Sequence, residues 1–408
     1  MMSSFSTAEK QLMTVTSFGH FMSHFNMLTF PALALPLSAG LDLPLADVMG
    51  LSFPMYLLFG LTALPWGMIG DRWRSDRLMV LFFLGAGLGG LGAAVFMESP
   101  AAMAASLGVV GLFSGIYHPI GLGMISKGVT RISVAMGING MFGNLGLAMA
   151  PLLAGVANWL WGPRAAFMIL AALNFAGALW AARLPHLKPP TRSTSAAESP
   201  SGNGRQAFAI LLLAMMLGGI VYRGATLTTP PLLEMNLQKL HQILTPFAGA
   251  ALTPNLEATI ITSGIFLIGM IGQYTGGRAA ERFDPRWCYL LFHASALPMA
   301  FMMATTTDLA LVSAAVVYFF FLLGMQPAEN TLVARLTPKR LHHSAFGVKF
   351  VLTFGVGALA VKLVEAIESA LDLGAVYIAL GVGSSLLVAA ILLLIRRTTP
   401  AVDTVAAS

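Results

Sequence analysis

Long apolar stretches run almost the whole length of the chain, separated by short polar breaks. A bilayer core of about 30 Å needs about 20 apolar residues in one helical crossing. On that measure the pattern predicts twelve spanning helices. In the first half they cover residues 12–37, 45–69, 78–97, 101–126, 133–160 and 164–182. In the second half they cover 207–232, 257–276, 287–306, 309–333, 345–367 and 373–395. The first stretch, Leu12 to Leu37, is too long for a signal-peptide core and carries His20, His24 and Asn26, so it reads as a spanning helix and no cleavable signal is expected. Between the halves lies Arg183–Arg205, rich in Pro, Ser and Gly, which reads as a flexible linker. The expected organisation is a six-helix bundle over 1–182, a linker over 183–206, a second six-helix bundle over 207–397 and a tail over 398–408. A further polar stretch, Leu233–Asn255, holds Glu234, Lys239, Pro246 and Pro254 and is expected to contain a short surface helix.

Composition turns this pattern into a solvent argument. Hydrophobic residues make up 57% of the chain and charged residues only 10%, with a mean hydropathy of +0.78. Soluble domains carry about 25% charged residues. A chain this poor in charge cannot cover a water-facing surface, so lipid must solvate much of it. The fold class that follows is an all-α polytopic membrane protein. Its 42 glycines suit helices packed backbone against backbone. The single cysteine, Cys288, excludes an internal disulfide and a Cys-based zinc site.

The net charge of +6 matters less than where it sits. Arg72, Arg74, Arg77, Lys127, Arg131, Arg278, Arg282, Arg286, Arg335, Lys339, Arg340, Arg396 and Arg397 fall on one side of the predicted helices. Asp42, Asp47, Glu98, Glu234, Glu257, Asp308, Glu368 and Asp372 fall on the other. The positive-inside rule then places both termini in the cytoplasm, with the protein in the cell (inner) membrane.

The halves repeat. Gly67-Met-Ile-Gly-Asp71-Arg72 is answered by Gly277-Arg-Ala-Ala-Glu281-Arg282 at an offset of 210. His118-Pro119 is answered by Gln326-Pro327 at 208, and Val134-Ala-Met-Gly137 by Ser344-Ala-Phe-Gly347 at 210. A duplicated six-helix unit enclosing a site near the midplane is a transporter architecture.

The stretch GMIGDRWRSDR, Gly67 to Arg77, resembles the signature between helices 2 and 3 of the major facilitator superfamily, with Arg74 where that family usually has Gly. The resemblance covers essentially all twelve helices. It implies that Asp71 meets the start of helix 11 near Ser344 when the outer side is open, and, through the repeat, that Glu281 meets the start of helix 5 near Ser133. Gly67, Asp71, Arg72, Arg77, Gly277, Glu281 and Arg282 are therefore the expected gating residues. Charge placed only to orient the chain is the competing reading. In helix 5, Gly137, Gly146, Ala150-Pro151 and Ala154-Gly155 resemble the Gly- and Pro-rich signature of proton-coupled exporters of the same superfamily. Gly137, Gly146, Pro151 and Gly155 at this spacing would make a groove for a neighbouring helix.

A narrower resemblance is to the fosmidomycin-resistance group of exporters. It rests on Ser17-Phe-Gly-His20, Gly115-Ile-Tyr-His118-Pro119 and Gly143-Asn144-Leu-Gly146 followed by Ala150-Pro151. That group commonly has an acid after His-Pro and another in helix 1. Here Ile120 and His24 stand at or near those places, so an acid-based proton site is not carried over.

Ionisable residues inside spans are costly and functional by default. His20 and His24 share one face of helix 1. His118 lies at a depth similar to His20, and the resemblance makes helices 1, 4, 7 and 10 line a central cavity. Tyr222, Arg223 and Thr226 sit together on helix 7, and Gln326 and Glu329 on one face of helix 10, with Lys349 near the inner end of helix 11. Two readings stand for Glu329: proton transfer, or a plain ion pair with Lys349. His293 reads as a packing residue. The substrate and proton cavity is thus expected to use His20, His24, His118, Tyr222, Arg223, Thr226, Gln326, Glu329 and Lys349.

The function expected from these residues is secondary active transport: proton-coupled efflux of a small polar or anionic organic solute by alternating access. No cofactor is implied beyond a proton as coupling ion. The partners are the solute and the bilayer, with neither nucleic acid nor a required protein partner. No HExxH, GxSxG or P-loop pattern is present, so an enzyme is not expected. The alternatives are a uniporter or importer of the same fold, and a metal-ion carrier that uses His20, His24 and His118 at a chelating spacing.

Overall fold

The computed structural model describes residues 5–183, 202–248, 252–337 and 347–398. Within them the chain is helical, as it must be where lipid offers the backbone no hydrogen bonds. The spanning helices are α1 (Thr7–Leu28), α2 (Leu45–Gly70), α3 (Ser75–Val95) and α4 (Pro100–Gly128). They continue with α5 (Ile132–Trp161), α6 (Pro163–Ala181), α7 (Gln206–Asn236), α8 (Pro254–Arg282), α9 (Pro285–Thr305), α10 (Asp308–Leu336), α11 (Gly347–Ala370) and α12 (Leu373–Arg397). A short helix, Gln238–Ala248, lies between α7 and α8. Eleven of these helices are long and apolar enough to cross a bilayer on length and composition alone. The exception is α1, which is diluted by Ser17, His20, Ser23, His24 and Asn26. It packs against α4, α5 and α6, which keeps those groups among protein rather than lipid.

Helix ends follow local chemistry. Proline opens α4, α6, α8 and α9, where its missing N–H costs nothing. Asp372 caps α12 by accepting from the Ala375 N–H at 2.7 Å. Gly162 joins α5 to α6 with φ +83°, a conformation that favours glycine.

The duplication seen in the sequence is physical. α4 breaks after Ser114 and α10 after Gly324, in each case just before a His-Pro or Gln-Pro pair. Pro119 and Pro327 each remove a backbone donor and crowd the carbonyl four residues back, so both helices kink at matching places. Each kink packs against the glycine of the loop motif. A Cβ on Gly67 would lie 3.3 Å from Pro119, and one on Gly277 would lie 3.8 Å from Pro327. The turns after α2 and α8 also correspond. Arg74 pairs with Asp76, and at the same offset Asp284 pairs with Arg286 at 2.5 Å, with the charges exchanged. This gives Arg74, unusual for the signature, a partner of its own. Hydrogen bonds from the Arg286 guanidinium hold the Asp284 carboxyl below its ordinary value.

The two six-helix halves meet along α5–α8 and α2–α11, and the repeat makes these interfaces counterparts of each other. At α2–α11 a Cβ on Gly60 would lie 2.0 Å from the Gly355 nitrogen. That contact coincides with a π-helical turn, Val351–Gly355, in α11. Such turns are rare and frequently mark functional sites. On the face away from the chain termini, Asn255 ties α8 to three other elements. Its amide donates to the Ala32 carbonyl at 2.9 Å and to Glu234 at 2.7 Å, and its Oδ1 accepts from Asn158 at 2.9 Å.

Candidate functional site

The α4 kink aims Tyr117 and His118 at α1 and α5. The Tyr117 hydroxyl donates to the Thr16 carbonyl at 2.9 Å, and the Asn139 amide donates to that hydroxyl at 2.9 Å. Asn139 also accepts from His20 Nδ1 through its backbone carbonyl and its side chain, each at 2.9 Å. A carbonyl oxygen can only accept, so the His20 proton sits on Nδ1 and Nε2 keeps its lone pair. The His20 ring lies over Gly143, where a Cβ would come within 2.7 Å of three ring atoms.

Three imidazoles meet here. Ring centroids are 5.1 Å apart for His20 and His24, 5.3 Å for His20 and His118, and 5.6 Å for His24 and His118. His118 is buried, and both of its ring nitrogens lack a partner. Phe350, just before the π-helical turn, and Phe354, within it, stack on it with centroids at 5.0 and 5.6 Å, so the cluster abuts the opposite half.

Arg223 forms the second cluster. It is 3% exposed, and its guanidinium carbon lies 3.8 Å from the centre of the Tyr56 ring, across the interface between the halves. Tyr56 is fixed by donating to the Met27 carbonyl at 2.7 Å. Cation–π attraction offsets part of the cost of burying the charge, by about 2 kcal/mol in a desolvated setting. No carboxylate among the described residues lies within ion-pair distance of Arg223, and its Nε is buried without a partner. Tyr222 is buried beside it, its ring centre 5.9 Å from the guanidinium. The Thr226 hydroxyl is spent on its own helix, donating to the Tyr222 and Arg223 carbonyls.

Glu329 belongs to a third cluster inside the second half. It is 2% exposed, pairs with Lys349 at 2.7 Å and accepts from the Tyr289 hydroxyl at 2.8 Å. Lys349 also donates to Asn330. The ion pair envisaged as an alternative is thus present. Gln326, expected on the same face, turns elsewhere. It accepts from Gln273 at 2.7 Å, and Gln273 in turn accepts from Asn144, a polar bridge between the halves.

Removing one partner of a buried ion pair strands the other charge and costs about 3–5 kcal/mol. Lys349→Met alone should therefore lower stability by about that much. Adding Glu329→Leu should recover most of the loss. Thermal unfolding of the single and double variants in detergent checks this, and equal stability of Lys349→Met and parent would refute it.

The gating residues present a plainer picture. Asp71, Arg72, Arg77, Glu281 and Arg282 are exposed. Among the described residues, the charged partner of Glu281 is Arg278 of its own helix, at 4.0 Å. The expected contacts near Ser344 and with the Ser133 side chain lie outside the described residues. In the helix 5 motif, a Cβ on Gly146 would lie 2.2 Å from the Phe21 carbonyl, and one on Gly155 would lie 1.9 Å from Thr259 Oγ1. Pro151 stays within the continuous helix α5. Among the described residues, nothing lies within 4 Å of the Gly137 Cβ position.

Sequence reasoning missed Tyr56, Tyr117, Asn139, Gly143 as the bed of His20, and the Phe350–Phe354 pair. Asn139, a polar residue in an apolar span, carried a usable signal. The aromatics carried none, because they match ordinary membrane-helix composition.

Comparison with known proteins agrees with this architecture. Residues 16–361 match the Major Facilitator Superfamily. Curated protein sequences give no significant match. Among solved structures, a nucleoside transporter, NupG, is similar with a TM-score of 0.74 at 16% identity, over 95% of this chain and 100% of that one. A POT peptide transporter in complex with alafosfalin gives a TM-score of 0.71 at 15% identity, over 95% of each chain. A bacterial homolog of the human lysosomal transporter Spinster, in an inward-facing conformation, gives 0.66 at 16% identity over 96% of each chain. At these identities the likeness is one of fold.

Proposed function

The chain belongs to the Major Facilitator Superfamily, and on that premise we propose that it is a proton-coupled exporter of a small organic solute with an anionic or strongly polar group. The observation that carries the substrate class is Arg223. A guanidinium cannot shed its charge, and here it is buried against Tyr56 with no carboxylate partner among the described residues. A solute anion arriving between the halves would supply the missing counter-charge.

Export by proton exchange draws on the helix 5 signature and on the resemblance to the fosmidomycin-resistance group. His20, His24 and His118 are the groups for the proton, since imidazole changes charge nearest neutral pH. Alternating access would then open and close the α5–α8 and α2–α11 interfaces in turn, with Asp71 and Glu281 biasing the two states. The positive-inside rule supports an inner-membrane protein with both termini in the cytoplasm.

The test is transport by purified protein in proteoliposomes, screened with radiolabelled anionic, zwitterionic and cationic organic solutes. Under an imposed proton gradient, an anionic or polar solute should accumulate against its own gradient, on the side the protons leave. Net uphill flux that ignores the proton gradient would reject the coupling. Transport confined to cationic or apolar solutes would reject the substrate class.

A further inference from the structure

We infer that His20, His24 and His118 form a binding site for one divalent transition-metal ion of the zinc class. Three independent features of the cluster carry this.

The first is geometry. One ligand nitrogen from each imidazole lies within 4.8 Å of the other two. For three imidazoles on a tetrahedral ion with metal–nitrogen bonds of about 2.0–2.1 Å, ring centroids fall about 5 Å apart. The observed separations of 5.1, 5.3 and 5.6 Å are of that size.

The second is unsatisfied chemistry. Buried polar atoms are normally hydrogen-bonded, yet both nitrogens of His118 are buried without partners. Neither stacked phenylalanine can satisfy them. A metal ion bound by one nitrogen satisfies that one.

The third is the support behind His20. Metal-binding histidines donate their other N–H to a carbonyl or carboxylate, which fixes the tautomer and the ring direction. His20 does this through Nδ1 to Asn139, at 2.9 Å to each oxygen, and lies on a glycine. His20 and His24 keep partial exposure, which leaves the ion a way in.

Ligand type sets the ion. Three neutral imidazoles with no carboxylate suit zinc, cobalt, nickel or copper, and do not suit magnesium or calcium, which seek oxygen. Three protein ligands also leave a fourth position open. The buried cations of the central region are Lys349, whose charge is met by Glu329 at 2.7 Å, and Arg223, which has no carboxylate partner among the described residues. The site does not require the transport reading to be correct. The two meet at one point: ion and proton use the same lone pairs, so a bound metal would displace the coupling proton.

Cobalt(II) is the direct probe. Purified full-length protein, without a histidine tag, is titrated with cobalt chloride and its visible spectrum recorded. One equivalent should give the intense bands of four-coordinate cobalt, and zinc should remove them while magnesium does not. Asn139→Ala should weaken cobalt binding by about 10–100-fold, and His118→Gln at least as much. His241→Gln, which alters the imidazole paired with Glu257 at 2.7 Å, should leave the bands intact. Only weak six-coordinate bands with the unaltered protein would overturn the assignment. So would bands that survive His118→Gln in folded protein, or that vanish with His241→Gln. None of these results bears on whether an anion needs Arg223, so the two ideas fail separately.

Discussion

Arg223→Gln is expected to abolish transport while leaving the protein at least as stable as the parent. The two effects have one origin. An arginine near the bilayer midplane is unfavourable by about 2.5–3.5 kcal/mol on insertion scales, and among the described residues Arg223 has aromatic rings, Tyr56 foremost, and no carboxylate to offset this. A neutral amide removes the cost. For the solute the balance reverses. Hydrogen bonds to a charged group contribute about 1.5–3 kcal/mol, so affinity for an anionic ligand should fall roughly 10- to 150-fold. Arg223→Lys keeps the charge but loses the flat stacking surface and the fork of donors, so it should rescue only part of the binding. Thermal unfolding with and without ligand separates the effects. A large loss of stability in ligand-free Arg223→Gln, or undiminished transport, would show that the guanidinium is a structural brace.

Gly155→Leu should trap the protein with the face away from the termini open. In the structure a Cβ at this position would lie 1.9 Å from Thr259 Oγ1 and 2.7 Å from its Cβ. Threonine cannot yield easily. It is branched at Cβ, and its hydroxyl is bonded to the Asn255 and Leu256 carbonyls. The helices must part instead, and with them the Asn158–Asn255 and Asn255–Ala32 contacts nearby. Overpacking of this kind costs about 1–3 kcal/mol. Applied to only one of two global states, it shifts their ratio roughly 5- to 150-fold. Net transport should collapse while expression persists. With Cys288 replaced and Ala32→Cys as reporter, labelling by an impermeant thiol reagent should quicken at least several-fold from that side. Unchanged labelling would mean that α5 and α8 do not separate there.

These predictions use residues of different legibility. Arg223 stood out in the sequence because a charge in an apolar span is costly wherever it points. Gly155 stood out as part of a spacing, but so did Gly137, which meets nothing among the described residues. Spacing places residues on a helix face without saying what faces them. The same limit explains helix 10. Gln326 and Glu329 share a face three residues apart, yet one reaches α8 and the other pairs with α11. A kinked helix crossed by several neighbours divides its face among them.

The sequence by itself determined the membrane fold, the helix count and the duplication. Those follow from chain-length sums: about 20 apolar residues per crossing, and motifs recurring at a fixed offset. It also named every member of the histidine cluster and the buried arginine, since an ionisable residue within an apolar span is costly enough to stand out by its type and position in the chain. What the tertiary structure decided is who meets whom. It set His20 on Asn139 and Gly143, and His118 against Phe350 and Phe354. It also gave Arg223 an aromatic ring in place of an acid, and Glu329 a lysine and a tyrosine. Those pairings depend on kinks at Pro119 and Pro327 and on backbones brought close at Gly60 and Gly155. They are sums over distant chain segments, and no local window of sequence contains them.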